Sequence, residues 1–223
     1  MKRIIALVLA MLLVFSVSAM AEGKLKATEK NLILFDDGET GYFLAKVENV
    51  GDEAIGSDDG NLVIFSDDDE IMVTEDYIST LPDYIILAPG EYAYVSEFLW
   101  DEALGSAEIG DYKFSIPTAE DGREYAADKC EATYELDEYF SYAYITYTNN
   151  GDTDRSLYFA IAMHDAEGNL IYADNEVNEA VLVAPGSTIT YRAYIDSSFV
   201  EYWDANGIEP AEIEAIAYYR LDD

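Results

Sequence analysis

An all-β fold, built as two antiparallel β-sandwiches in tandem, is the class that this 223-residue sequence predicts, and three observations carry the expectation. Half of the residues are hydrophobic and 13% are aromatic, with 19 Tyr against 2 Trp, a mixture that suits pleated, half-buried surfaces. Short alternating apolar runs are separated by Gly, Pro, Asn and Asp, and no long stretch has the 3.6-residue period of a helix. Finally, two segments resemble each other when slid by about one hundred positions, the signature of an internal repeat.

Taken from the start, Lys2 and Arg3 precede an apolar run from Ile4 to Val17 that ends in Ala19-Met20-Ala21. A basic start, a short apolar core and an A-x-A ending predict a secretory signal peptide over residues 1–21. The run is shorter than the roughly 20 apolar residues that cross a bilayer. No second long apolar stretch follows, so no membrane span is expected in the mature protein. No Cys stands at the cleavage point to take lipid, and the chain stops at Leu221-Asp222-Asp223 without a wall-sorting tail. The expectation is release to the outside.

The first sandwich is expected over residues 22–123. An alternating strand from Tyr42 to Val47 runs into Asn49-Val50-Gly51-Asp52, where Asn and Gly tolerate the positive φ of a tight turn. Leu62 to Phe65, an acidic turn and Ile71 onward form a hairpin. Ala88-Pro89-Gly90 then presets a type II turn, with Pro at its second position and Gly at its third, and feeds a strand from Glu91 to Leu99. Tyr112 to Ile116 closes the copy.

The second sandwich, 124–223, repeats these landmarks in order. The strand Tyr139 to Tyr147 leads into Asn149-Asn150-Gly151-Asp152, a hairpin follows around His164-Asp165-Ala166-Glu167-Gly168, and Ala184-Pro185-Gly186 feeds a strand from Ser187 to Ile195. Ile213 to Leu221 closes it. One or two helical turns are expected between Phe199 and Asn206. The boundary is placed in the polar stretch Asp121 to Lys129, ahead of a first strand Glu131 to Leu136.

At these residues the sequence resembles the bacterial immunoglobulin-like modules typified by the FxLYD family. The likeness covers the core of each repeat: an apolar strand ending in Asn-x-Gly, a strand running into an Asp-containing turn, and a hydrophobic-Ala-Pro-Gly turn before an alternating strand. The first copy departs from it, with no Gly in Ser66-Asp67-Asp68-Asp69 and a longer acidic loop from Asp52 to Asn61. The resemblance implies tandem immunoglobulin-like sandwiches on an exported protein, serving as spacers or binding domains.

Charge bounds the chemistry. With 46 Asp and Glu against 12 Lys and Arg, the formal net charge is −34, shared almost evenly by the two halves. Such a surface repels phosphates, so nucleic acid is excluded as a partner. One Cys, Cys130, rules out an internal disulfide and a four-cysteine zinc site, and the single His, His164, stands in a separate strand with no partner motif, so a packing role is favoured for each. The sequence points to no cofactor. The acidic turn Asp67, Asp68, Asp69 and Glu70 has the ligand type that calcium prefers, but the twelve-residue calcium-loop spacing is missing, and solvated charge is the favoured reading over weak calcium binding.

Two functions are carried forward. In Tyr139 to Tyr147, alternation puts Tyr139, Ala143, Ile145 and Tyr147 on one strand face and Phe140, Tyr142 and Tyr144 on the other. One aromatic face must lie outside the core, and exposed rows of rings bind sugars or protein partners. The favoured reading is therefore a non-enzymatic binding module, for an unidentified protein or glycan partner, using Phe140, Tyr142 and Tyr144. The alternative is a glycosidase-like hydrolase using clustered carboxylates, which requires one acid desolvated in a cleft.

Overall fold

The computed structural model of the chain describes residues 23–36, 38–137, 140–174 and 181–220. The leader, Tyr139 and the last three residues lie outside them. The described residues fold as antiparallel sheets with one short α-helix, in line with the all-β expectation.

In the N-terminal half the strands are β1 (Leu25–Leu34), β2 (Thr40–Asn49), β3 (Ile55–Ser57), β4 (Gly60–Ser66), β5 (Ile71–Ile78), β6 (Ile86–Leu87), β7 (Tyr92–Trp100), β8 (Ile109–Ser115) and β9 (Thr118–Ala119). They assemble as sheets ordered β1-β2-β7, β5-β4-β8 and a small β6-β3-β9. Strand β2 has the pattern expected of a strand covered on both sides. Phe43, Ala45 and Val47 join Leu62 and Ile64 of β4 and Val95 and Leu99 of β7 in one core. Leu44, on the opposite side of the strand, belongs to a second core that it shares with the C-terminal half. Phe43 is fully buried, and truncation to Ala at such a site costs about 3–5 kcal/mol.

The C-terminal half comprises β10 (Tyr125–Glu135), β11 (Ser141–Thr148), β12 (Arg155–Asp165), β13 (Leu170–Asp174), β14 (Val181–Val183), β15 (Thr188–Ile195), α1 (Ser197–Asn206) and β16 (Pro210–Arg220). The sheet order is β13-β12-β16-β10-β11-β15, with β14 on β12. Helix α1 starts at Asp196, whose side chain accepts from Ser198 N–H, and ends at Gly207 in the left-handed conformation. It buries Phe199 and Trp203.

Strand β10 departs from the sequence reading. It runs through the stretch expected to be a linker, pairing with β16 over Tyr125 to Cys130 and with β11 over Glu131 to Glu135. Its half-buried positions are Tyr125, Ala126, Asp128, Cys130, Ala132 and Tyr134, mostly small or polar between the two end tyrosines, so no apolar alternation advertises the strand. A second finding concerns the cores. Ile33, Leu44, Ile85, Leu87, Ala93 and Tyr94 of the N-terminal half pack in the same cluster as Ala160, Ala162, Ile216 and Tyr218 of the C-terminal half. The two halves meet face to face across sheet β1-β2-β7.

The two Asn-x-Gly landmarks share a set of matching bonds, to which Asn49 Oδ1 adds one accepted from Lys24 N–H at 3.3 Å. Asn49 Nδ2 donates to the carbonyls of Glu53 and Leu87, both at 2.8 Å, and its Oδ1 accepts from Gly51 N–H at 2.9 Å. Asn149 Nδ2 donates to Thr153 and Val183, again at 2.8 Å, and its Oδ1 accepts from Gly151 N–H at 2.9 Å. Each asparagine carbonyl also accepts from the Gly of the following Pro-Gly turn, Gly90 or Gly186, at 2.8 Å. Those glycines have φ of 79° and 71°, and Glu91 and Ser187 N–H close their turns on Ala88 and Ala184. In each half a fully buried amide side chain thus ties the strand end to a turn some 40 residues onward.

Candidate functional site

Three strands, β10, β11 and β15, form the sheet at the far side of the C-terminal half, and their register sets which side chains share a face. Ala143, Ile145 and Tyr147 of β11 point inward and are buried, as their alternation predicts. On the outward face Tyr142 lies between Glu135 and Tyr194, Tyr144 between Thr133 and Arg192, Thr146 between Glu131 and Thr190, and Thr148 opposite Thr188. The face thus changes along β11 from rings to hydroxyls.

The rings are held in place. Tyr142 is 6.0 Å from Tyr194, edge to face, and 6.4 Å from Tyr144, centroid to centroid. The Arg192 guanidinium sits 4.5 Å from the Tyr142 ring centre, a cation–π contact, and the Tyr144 hydroxyl donates to Glu135 Oε2 at 3.2 Å. Thr146 and Thr190 hydroxyls are 3.2 Å apart, and those of Thr148 and Thr188 are 2.8 Å apart. Phe140, just ahead of β11, is 62% exposed.

Beyond Thr146 and Thr148, where β10 leaves β11 for β16, lies a polar cleft of about 490 Å³ that Asp128, Lys129, Glu131, Asn150 and Arg155 help to line, with Asp128 reaching it from the half-buried side of β10. Arg155 Nη1 donates to Asp128 Oδ2 at 2.7 Å and to the Tyr147 hydroxyl, and its guanidinium stacks 4.1 Å from the Tyr219 ring centre. Of this face the sequence reading located Phe140, Tyr142 and Tyr144. It missed Tyr194, Arg192 and the threonines. Their i, i+2 spacing in Thr188-Ile189-Thr190-Tyr191-Arg192-Ala193-Tyr194 was visible, but only the β11–β15 register places them beside Tyr142.

The other candidates lie elsewhere. Asp67, Asp68, Asp69 and Glu70 form the exposed β4–β5 turn, and among the described residues no three His, Cys, Asp or Glu side chains gather to hold a metal ion. Cys130 is half-buried on β10, and burial pushes its thiol up to about 11, well away from thiolate chemistry. His164 Nε2 lies 2.8 Å from Glu29 Oε2, and Lys46 Nζ lies 3.2 Å from Glu29 Oε1, a polar link between the halves.

A second link is centred on Glu214 of β16, whose carboxylate accepts from Tyr92 at 2.6 Å, Tyr94 at 2.7 Å and Lys129 at 2.6 Å. Burial alone would push this acid up, but the Lys129, Tyr92 and Tyr94 donors outweigh it and hold it below the ordinary range. Glu97 of β7 goes the other way. Burial first, then the Glu75 charge, raises its pKa. It shares a strand face with Val95 and Leu99, turned to the β5-β4-β8 sheet.

No protein-family model matches this sequence, and no curated protein matches it either. The functional reading therefore rests on geometry. Among the described residues no helix is long and apolar enough to cross a membrane.

Proposed function

We propose that the chain is an exported, non-enzymatic bacterial binding protein made of two immunoglobulin-like modules of the FxLYD type. Its ligand is held on the outward face of β11 and β15. The observation that carries the reading is the row of rings Tyr142, Tyr144 and Tyr194, fixed by Arg192 and Glu135 on the outward face of the sheet, with Tyr142 and Tyr144 half-buried and Tyr194 37% exposed. Rings ordered before binding cost little further conformational entropy when a ligand arrives. The modular part of the proposal is supported by the matched Asn49 and Asn149 networks and the paired Pro-Gly turns. Export is supported by the basic start, apolar core and Ala19-Met20-Ala21 ending of the leader.

The hydrolase alternative gains little from the polar cleft. Its acids are Asp128, engaged by Arg155, and exposed Glu131. The test is a binding screen of the purified protein against immobilised glycans and candidate protein partners, repeated with Tyr142→Ala and Tyr144→Ala. Both variants are expected to melt as the parent does and to lose the ligand. Parental binding by both would remove this face from the proposal.

A further inference from the structure

We infer that the ligand of this face is an uncharged polysaccharide chain, laid along β11 with its sugar rings on Tyr142, Tyr144 and Tyr194 and a neighbouring unit in the polar cleft beside Asp128 and Arg155. The inference rests on the binding reading above and adds the chemistry of the ligand.

The order of residues along the face sets the chemistry. Two rows present phenol rings and the next two present threonine hydroxyls, followed by the cleft. From Tyr142 to Thr148 the strand advances about 20 Å at roughly 3.3 Å per residue, a length that suits a chain rather than a single sugar. A pyranose has an apolar C–H face and a girdle of hydroxyls, each of them donor and acceptor. The C–H face can stack on single rings of the row, which are inclined to one another by 51° and 68°. The girdle matches side chains with spare capacity: a threonine hydroxyl offers one donor and two acceptor sites, so pairing across the strands leaves each with more to give. In the cleft, Asp128 accepts and Arg155 donates side by side at 2.7 Å, which matches two adjacent hydroxyls, one donating and one accepting.

Charge disfavours the nearest competitors over the molecule as a whole. Glu131 and Glu135 share the face with Arg192, and Lys129 and Arg155 line the cleft, so the site itself is mixed in sign, while the formal charge of −34 on the chain repels uronic acids, sulfated sugars and phosphates at longer range. A protein partner fits poorly for a different reason. The core of a protein interface is depleted of Glu, whereas here two of the three rows that β10 completes contain Glu131 or Glu135. An apolar partner surface would have to bury those charges without a counter-charge. Sugar hydroxyls solvate them instead.

The test is affinity electrophoresis and calorimetry of the purified protein with dextran, mannan, xyloglucan and mixed-linkage β-glucan, with polygalacturonate as the anionic control. At least one neutral polymer is expected to bind, with an affinity that changes less than about twofold between roughly 50 and 500 mM NaCl because no ion pair is formed with it. Polygalacturonate is expected to run unretarded. Tyr144→Ala should weaken binding roughly tenfold or more, equivalent to about 1.4 kcal/mol. Thr190→Val, at an exposed position that leaves the fold unchanged, should weaken it severalfold, and Arg155→Gln should do so provided its melting temperature matches the parent. Binding of polygalacturonate alone, or of no polysaccharide, overturns the inference. A polypeptide ligand lost on Tyr144→Ala, with no sugar bound, would overturn the inference and leave the binding function in place. A neutral polymer held equally by the parent and by Tyr144→Ala would overturn both.

Discussion

Asp69 and Gly168 show how much one residue's backbone preference decides. They occupy the same place in the β4–β5 and β12–β13 turns, with φ of 61° and 84°. Their N–H groups close on the carbonyls of Ser66 and Asp165, respectively. A Cβ at Gly168 would meet nothing within 4 Å, so the penalty of a side chain there is purely conformational. Gly168→Ala is expected to cost about 1–2 kcal/mol in urea unfolding, while Asp69→Gly is expected to be neutral or stabilising by up to about 1 kcal/mol. A neutral Gly168→Ala would show that the second hairpin relaxes its turn. The missing Gly of the first copy was legible in the sequence as a departure from pattern. That an aspartate supplies the same left-handed conformation was not, because Asp is common in turns of every type.

Two carboxylates give opposite pH dependences. Glu214, whose pKa the fold depresses, contributes stability above the unfolded carboxylate pKa of about 4.3 and loses it as pH falls through its lower folded value. Glu97, whose pKa is raised, destabilises the fold once ionised. Its penalty sets in as pH rises from about 4.3 through its folded value and is absent at lower pH. Glu214→Gln is accordingly expected to lose about 1–3 kcal/mol near neutral pH, and Glu97→Gln to gain stability there, with both differences shrinking toward pH 3 in thermal melts. A Glu97→Gln gain that persists unchanged in acid would place its cause in packing rather than in charge.

At the scale of elements, legibility followed apolar alternation. Expected strands at Tyr42 to Val47, Glu91 to Leu99, Ser187 to Ile195 and Ile213 to Leu221 coincide closely with β2, β7, β15 and β16, and the expected helical turns fall within α1. Strand β1 was not legible, because residues it half-buries include Glu29 and Asn31. Those side chains are spent on the other half of the molecule, Glu29 on His164 and Asn31 on the Leu170 carbonyl at 2.8 Å. The Asn-x-Gly landmarks were read as turns, and only the fold shows that each asparagine reaches the strand before the Pro-Gly turn. Asn149→Ala strips the partner from the buried Val183 carbonyl and from Gly151 N–H. Its cost is expected to be about 3 kcal/mol, the sum of two unpaired polar groups at about 1–3 kcal/mol each, with Asn49→Ala losing a similar amount. A loss below about 1 kcal/mol would mean that water replaces the amide.

For the whole molecule, the dominant quantity is a formal charge of −34 carried by 46 acids against 12 Lys and Arg. Among the described residues, the Lys and Arg side chains in ion pairs include Lys46, Arg123, Lys129 and Arg155, and His164 shares Glu29 with Lys46. Of these pairs Arg123–Asp83 is exposed on both sides and contributes about 0–1 kcal/mol; the others are partly buried, and salt weakens them less. Salt also weakens the repulsion among the many remaining acids, since charges more than about 8 Å apart are largely screened at physiological ionic strength. Repulsion involves far more pairs, so added salt should raise the melting temperature. The size of that rise distinguishes screening from site binding. Nonspecific screening depends on ionic strength, and sodium, magnesium and calcium chlorides at matched ionic strength are expected to give similar melting temperatures. A site such as the Asp67 to Glu70 turn would instead favour calcium, which accepts irregular oxygen cages that magnesium does not, and would stabilise the fold in proportion to the logarithm of calcium concentration above its Kd. The exposed, unclustered acids of that turn point to screening. A rise produced by calcium and not by magnesium, abolished in Asp67→Asn or Asp69→Asn, would establish the turn as a true site.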